Sequence, residues 1–391
     1  MGFVGTGGMG RHHIKNLSTM PGVQISAVCD ADEGQAEHAA DIIRHAGHPQ
    51  PAMYTGQKDG YQRLCAEEDL DLVYTATPWE VHTRVCLAAM ENGKHAATEV
   101  PAAVTIEECW QLVETAEKTG KYCVMSENCC YDQVEMMLLN MVRQGLFGEL
   151  IYAECGYMHD LRSLKFWKGG EGLWRLQHTE TRNGDLYPTH GLGPVAQWFD
   201  INHGNRFTNL VSMSTRSRGL NLYAAEKFGP DSPEAQKTYA LGDVVTTLLQ
   251  TAAGQTILVK HDTSSPRPYS RAIMVQGTRG LARKYPEELI HIEGRSEPEQ
   301  WEPLADYREA FEHPLWQETQ DTLKDVGGHG NMDYLVDWCL IRALQTGNPP
   351  DMDVYDAATW SAVTALSAFS IRNGSQPVPF PDFTRGKWKE R

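Results

Sequence analysis

The sequence predicts an α/β protein: an N-terminal Rossmann domain with a doubly wound parallel sheet, then an α+β domain with a large, mostly antiparallel sheet. Three observations carry this. Phe3-Val4 runs into Gly5-Thr6-Gly7-Gly8-Met9-Gly10, a G-x-G-x-x-G at a strand-to-helix junction. Apolar strand-like runs then alternate with amphipathic helical runs over about 125 residues. Beyond residue 128 the strand candidates are separated by turn residues, as in an antiparallel sheet. At 391 residues the chain has room for two large domains, expected at 1–128 and 129–391.

In the glycine loop, Gly5 allows the tight turn, Gly7 lets the backbone approach a pyrophosphate, and Gly10 permits close helix–strand packing. The helix over 10–20 points its first N–H groups at the anion. A strand over 23–28 (VQISAV) ends at Cys29-Asp30. Asp30 stands where the fingerprint needs a carboxylate for the ribose hydroxyls, and an acid there disfavours a 2′-phosphate, so NAD is expected rather than NADP. A helix over 35–46, a strand over 71–76, a helix over 80–92 and a strand over 95–99 follow. Thr105 and Glu108 form a capping box for a helix ending near Gly120, and 122–125 is another strand. Ligands of such sheets lie beyond the strands' carboxyl ends. Those ends carry Thr77-Pro78-Trp79-Glu80 with His82, then Glu99-Val100-Pro101, then Glu127-Asn128.

In the second domain, 131–144 (YDQVEMMLLNMVRQ) is an amphipathic helix closed by Gly145, and 151–157 alternates like a half-buried strand. Further strands are expected over 210–215, 244–250, 256–261 and 272–276. Helices are expected over 331–345, after the loop Gly327-Gly328-His329-Gly330, and over 354–372. The Pro-rich, basic tail reads as a surface arm. The stretch 182–198 (RNGDLYPTHGLGPVAQW) stands out. Asn183-Gly184 is a turn signal and Pro188 suits the first turn of a helix. Tyr187 and His190, three apart, would then share a face and present a phenol beside an imidazole, two groups able to move protons.

Formal net charge is −16 with the signs interspersed, so no basic stripe is available to neutralise nucleic-acid phosphates. No apolar run approaches the roughly 18–20 residues needed to span a bilayer. The nine cysteines are an odd number with no zinc-ligand spacing, and Cys129-Cys130 are neighbours, which favours buried thiols in a reducing compartment. Taken alone the chain reads as soluble and cytoplasmic. Its first strand has barely begun before the glycine loop, so native N-terminal residues are expected to be missing; a removed signal peptide would make the protein periplasmic or secreted.

These motifs resemble the glucose–fructose oxidoreductase and inositol dehydrogenase superfamily, with two departures. The lysine those dehydrogenases carry between Glu99 and Pro101 is Val100 here, and an aspartate four residues before the helix histidine is Leu186. TEVPAA (98–103), SENCCY (126–131), HDLR (159–162) and LYPTHGLGP (186–194) are similar to glycoside hydrolase family 109, whose characteristic activity is α-N-acetylgalactosaminidase with tightly held NAD. The resemblance implies cofactor contacts at Gly5, Gly7, Met9, Gly10, Asp30, Thr77, Trp79, His82, Glu99, Val100, Asn128 and Tyr187. It implies sugar contacts at Tyr157, Arg175, Tyr187, Pro188, Thr189, His190 and Tyr269, with Arg162 and Trp174 as neighbours. Proton transfer would fall to His190, Tyr187, Tyr269 and Tyr131.

The implied substrate is a glycan ending in N-acetylgalactosamine, cleaved by oxidation at carbon 3, elimination, hydration and reduction, with NAD unchanged at the end. His159-Asp160 and His329 lack recognisable ligand spacing, so no metal is expected. The superfamily also implies pairing of copies through the second domain's sheet. An NAD-dependent sugar oxidoreductase is the nearest alternative, and Val100 argues against it. A non-catalytic NAD- and sugar-binding module is another, disfavoured by the grouping of Tyr187, His190 and Tyr269. A carboxylate-pair glycosidase would use Glu99, Glu127 or Asp185.

Overall fold

The computed structural model describes residues 1–325 and 329–391, so Gly327 and Gly328 of the expected glycine-rich loop lie outside the described residues. The chain forms two compact units, Met1–Tyr131 with Asp325–Ala362, and Asp132–Lys324 with Val363–Arg391. The division is not a single cut. Residues 325–362, read in the sequence with the second domain, cluster with the first.

The first unit holds six parallel strands: β1 (Gly2–Val4), β2 (Ala27–Asp30), β3 (Ala52–Thr55), β4 (Leu72–Thr75), β5 (His95–Thr98) and β6 (Cys123–Met125), in the order β3-β2-β1-β4-β5-β6. This is the doubly wound order, with the reversal beside β1 and β4. Register pairs Gly2 with Ala27, so β2 starts four residues later than the apolar run suggested. The sequence reading missed β3 and the helix Gly60–Glu67, both short. Phe3 and Tyr74, neighbours on β1 and β4, stack at 4.9 Å in the core. The capping box is present, with Thr105 accepting from the Glu108 N–H and Gly120 left-handed at the end.

The second unit holds nine strands: β7 (Leu150–Met158), β8 (Phe207–Ser214), β9 (Val245–Thr251), β10 (Thr256–Asp262), β11 (Met274–Gly277), β12 (Gly280–Arg283), β13 (Leu289–Ile292), β14 (Glu302–Pro303) and β15 (Val378–Pro379). Their order is β14-β13-β12-β11-β7-β10-β9-β8-β15, antiparallel except for β7 with β10. β9 alternates strictly buried and exposed, the pattern of a sheet covered on one face. The tail is no free arm: β15 pairs with β8, and Phe380 and Phe383 are buried. Nor does a helix begin at Tyr131, which sits in a single turn, Asn128–Tyr131. The helix proper is Gln133–Arg143, because the Asp132 side chain caps it by accepting from the Val134 N–H.

Candidate active site

In the first unit the glycine loop has the geometry its residue types demand. Gly5 is left-handed (φ 85°), and a side chain on Gly10 would lie 2.1 Å from the Gly5 carbonyl oxygen, so helix and loop pack backbone to backbone. Beside Gly7 and Gly8 a Cβ would meet nothing within 4 Å. The helix Gly8–Leu17, with Met9 in its first turn, has no side-chain cap and presents its first N–H groups to that open space. Asp30, at the end of β2, accepts from the Thr6 N–H (2.7 Å) and hydroxyl (3.1 Å), which turns its carboxylate toward the loop. An open cradle of N–H groups beside a carboxylate fits a dinucleotide.

The loops beyond β4 and β5 are braced to each other. The His82 ring, 1% exposed, lies 2.7 Å from the Thr77 carbonyl oxygen and 2.8 Å from that of Pro101. His82 thus ties the Thr77 loop to the Val100-Pro101 turn. Trp79 opens the helix between them, largely buried. Glu99 is held by a residue the sequence reading passed over: His13 Nε2 lies 2.6 Å from its carboxylate, and His13 Nδ1 lies 2.8 Å from Asp337. Burial alone would depress the His13 pKa, but Asp337 and Glu99 outweigh it and raise it well above the ordinary value. The result is a carboxylate–imidazolium–carboxylate row. Asn128 donates to Asp333, which also takes His329 Nδ1 at 2.6 Å.

In the second unit the helix Thr189–Trp198 lies on β7 with nothing between the backbones. A Cβ on Gly191 would come within 2.3 Å of the Gly156 nitrogen. This contact brings Tyr157, Tyr187 and His190 together. The Tyr157 ring centroid lies 4.7 Å from Tyr187 and 5.6 Å from His190, and Tyr187 meets His190 edge to face at 4.8 Å. Tyr269, from the loop after β10, closes the group at 6.1 Å from Tyr157 and is 38% exposed. Arg175, anchored by Glu171 at 2.8 Å, lays its guanidinium over the Trp174 ring at 4.7 Å and the Tyr187 ring at 5.2 Å. Pro188 precedes the helix with helical backbone angles, and the Thr189 hydroxyl is fully buried with no hydrogen-bond partner. Arg162 turns away onto Asp160 in a bidentate pair.

Family models match both parts of the chain: "Oxidoreductase family, NAD-binding Rossmann fold" over residues 1–127 and "Glycosyl hydrolase 109, C-terminal domain" over 131–390. A glycosyl hydrolase family 109 protein of Solibacter usitatus is 48% identical over all of this chain and 89% of its own length. The chain belongs to glycoside hydrolase family 109. An alpha-N-acetylgalactosaminidase of Bacteroides fragilis is 46% identical over 100% of this chain and 93% of its own. Among solved structures, a levoglucosan dehydrogenase in complex with NADH shares the fold, with TM-score 0.72, 18% identity, and 97% and 98% of the two chains covered.

This family-109 chain is accordingly an NAD-dependent glycoside hydrolase. Of the residues expected at its sugar site, Tyr157, Arg175, Tyr187, His190 and Tyr269 converge. Tyr131 belongs to the first unit, is 2% exposed, and gives its hydroxyl to Asp351 at 2.7 Å; burial and that carboxylate push its pKa well up. The sequence reading missed His159, except as a tempting metal ligand, and Arg271, whose Nη1 reaches the Tyr269 hydroxyl at 3.4 Å. The HDLR motif pointed at the first; nothing local pointed at the second.

Asp185 lies directly behind Tyr187. It is 0% exposed, accepts from the Tyr187 N–H at 3.1 Å, and leaves Oδ2 without a hydrogen-bond partner. Burial pushes its carboxyl up to about 7, the Tyr187 N–H opposing only in part. Unfolded, the group titrates near about 3.9. Between those values the folded state holds a proton that the unfolded state has lost, so stability falls as pH rises and the full cost stands above the folded pKa. Asp185→Asn should therefore stabilise the protein on the order of a few kcal/mol at alkaline pH, with the gain vanishing toward about pH 4. Urea unfolding at several pH values checks this, and a gain independent of pH would refute the assignment.

Proposed function

We propose that this enzyme removes terminal α-linked N-acetylgalactosamine by acid–base chemistry at neighbouring sugar carbons. One observation carries the reading: the groups gathered around Tyr157 are phenols and an imidazole with a guanidinium at their edge. Such a set moves protons and orients hydroxyl or acetamido oxygens. The name of the Bacteroides fragilis relative supports the sugar and its anomer. NAD, when bound, supplies reversible oxidation at carbon 3, which acidifies the proton on carbon 2. The chain's own residues then act on protons. A base among Tyr157, Tyr187, His190 and Tyr269 removes the carbon-2 proton, and the aglycone leaves from carbon 1 by elimination. Water gives its hydroxyl to carbon 1 and its proton to the departed aglycone oxygen, while the same group returns its proton to carbon 2. Arg175 holds the ring, its positive charge strengthened by Tyr187 and Glu171 despite burial. Val100, where dehydrogenases of the superfamily carry a lysine, fits a cycle that does not stop at the oxidised sugar.

The test is release of p-nitrophenol from its α-N-acetylgalactosaminide with chelator present and no NAD added. Turnover at an undiminished rate is expected, since the cofactor returns to its starting state. Accumulation of NADH against free sugar, without nitrophenol, would show a dehydrogenase instead.

A further inference from the structure

β7 ends at Met158, and the chain continues extended through His159, whose N–H donates to the Asp262 carbonyl at 2.9 Å. Residues two apart on extended backbone share a face. Tyr157 and His159 therefore point the same way, and the Tyr157 hydroxyl lies 3.0 Å from His159 Nδ1 with the rings edge to face. Both backbones are clamped. Tyr157 pairs with His261 of β10, and Met158 exchanges two hydrogen bonds with Ser270 at 2.9 and 3.0 Å. Ser270 follows Tyr269, whose ring meets His159 at 5.1 Å. Tyr157 is thus the hub of the ring group, touching Tyr187, His190 and Tyr269, and it has a basic nitrogen against its hydroxyl. A phenol titrates near about 10, so alone it is a poor base at neutral pH. An imidazole, with a reference value of about 6.5, can receive the phenol's proton.

We propose that His159 is the proton acceptor behind Tyr157, and that this dyad removes and returns the carbon-2 proton. The inference rests on the function proposed above. As the C2–H bond breaks, Tyr157 Oη forms a bond to that proton and passes its own to His159 Nδ1. The dyad ends as neutral phenol and imidazolium. The electron pair left at carbon 2 moves into the C1–C2 double bond and expels the aglycone oxygen from carbon 1. In the hydration half the relay runs backwards: His159 returns its proton through Tyr157 to carbon 2, while water supplies a hydroxyl to carbon 1 and a proton to the departed alcohol. Arg175, over the Tyr187 ring, keeps a positive charge beside the phenols throughout. His159 acts through Tyr157 and is a positioning residue, not one that touches the sugar.

The experiment uses the NAD-loaded enzyme and methyl α-N-acetylgalactosaminide in deuterated water. Two signals are followed: reduced-nicotinamide absorbance, and deuterium at carbon 2 of recovered sugar. In His159→Gln the absorbance should still appear, because oxidation at carbon 3 precedes the dyad's step. Deuterium uptake should fall by about 100-fold, the low end of a general base's contribution. Added imidazole should restore part of the uptake in His159→Ala, which a merely structural role would not allow. Wild-type uptake in His159→Gln, or no rescue of His159→Ala, overturns the dyad and leaves the function standing. A wild-type enzyme with neither absorbance nor deuterium would overturn the function itself, and the dyad with it.

Discussion

His190→Ala should lower kcat by about 10²- to 10⁴-fold, the range a positioned acid–base group supplies, while purified protein keeps its NAD. The reason is the separation of duties along the chain. The features that fit the dinucleotide are the Gly5–Gly10 loop, the uncapped helix behind it and Asp30, all in the first unit. His190 stands in the second unit, 4.8 Å from the Tyr187 ring and 5.6 Å from Tyr157. Losing its imidazole removes a proton-transfer group and opens a gap between two phenols, while the glycine cradle belongs to the other unit. Tyr269→Phe should act in the same direction by deleting only a hydroxyl. Turnover of the aryl glycoside and absorbance of cofactor released by denaturation are the two measurements. Loss of NAD along with activity would mean that His190 serves the cofactor.

The largest stability effect is expected at Arg271. It is 2% exposed and donates to Glu135 at 2.6 Å and Asp132 at 2.8 Å. Lys284 joins the same two carboxylates at 2.6 and 2.8 Å. Two acids and two bases thus neutralise one another inside the unit. The balance is tight. Burial raises the Glu135 carboxyl to about 7 even against the pull of Arg271, while Asp132, despite burial, is held well below the carboxylate range by its hydrogen bond with Glu135 and by Lys284 and Arg271. Arg271→Met would leave two buried carboxylates facing one ammonium, an imbalance that costs about 3–5 kcal/mol. The urea midpoint should fall accordingly. Adding Glu135→Gln should recover part of the loss, because the excess negative charge is then removed. Activity should fall as well, since the Tyr269 hydroxyl loses its guanidinium neighbour. A single variant as stable as wild type would show that the cluster contributes no net stability.

The sequence by itself determined what depends on local geometry. Glycine at 5, 7 and 10 is read directly, because only glycine permits the left-handed turn, the open cradle and the 2.1 Å approach. Asp30 follows from its distance along the chain, and β7 to β11 of the second sheet follow from strand-like runs between turn residues, whereas the short β12 to β15 were missed. Tyr187 and His190 were legible as a phenol and an imidazole three apart at a helix start, although the helix begins only at Thr189 and leaves Tyr187 two residues before it, where the two rings still meet at 4.8 Å. Tertiary structure decided everything that rests on contacts between distant segments. His13 and Asp337 lie 324 residues apart in the chain and share a buried ion pair that no periodicity announces. Residues 325–362 joined the first unit because side chains such as Asp333 and Asp337 complete its polar core. The Tyr131 hydroxyl bonds Asp351, 220 residues away along the chain, a partner its motif does not announce. Motifs name the chemistry available; which groups meet is set by strand register and by backbone approaches such as Gly191 on Gly156, which only the packed chain defines.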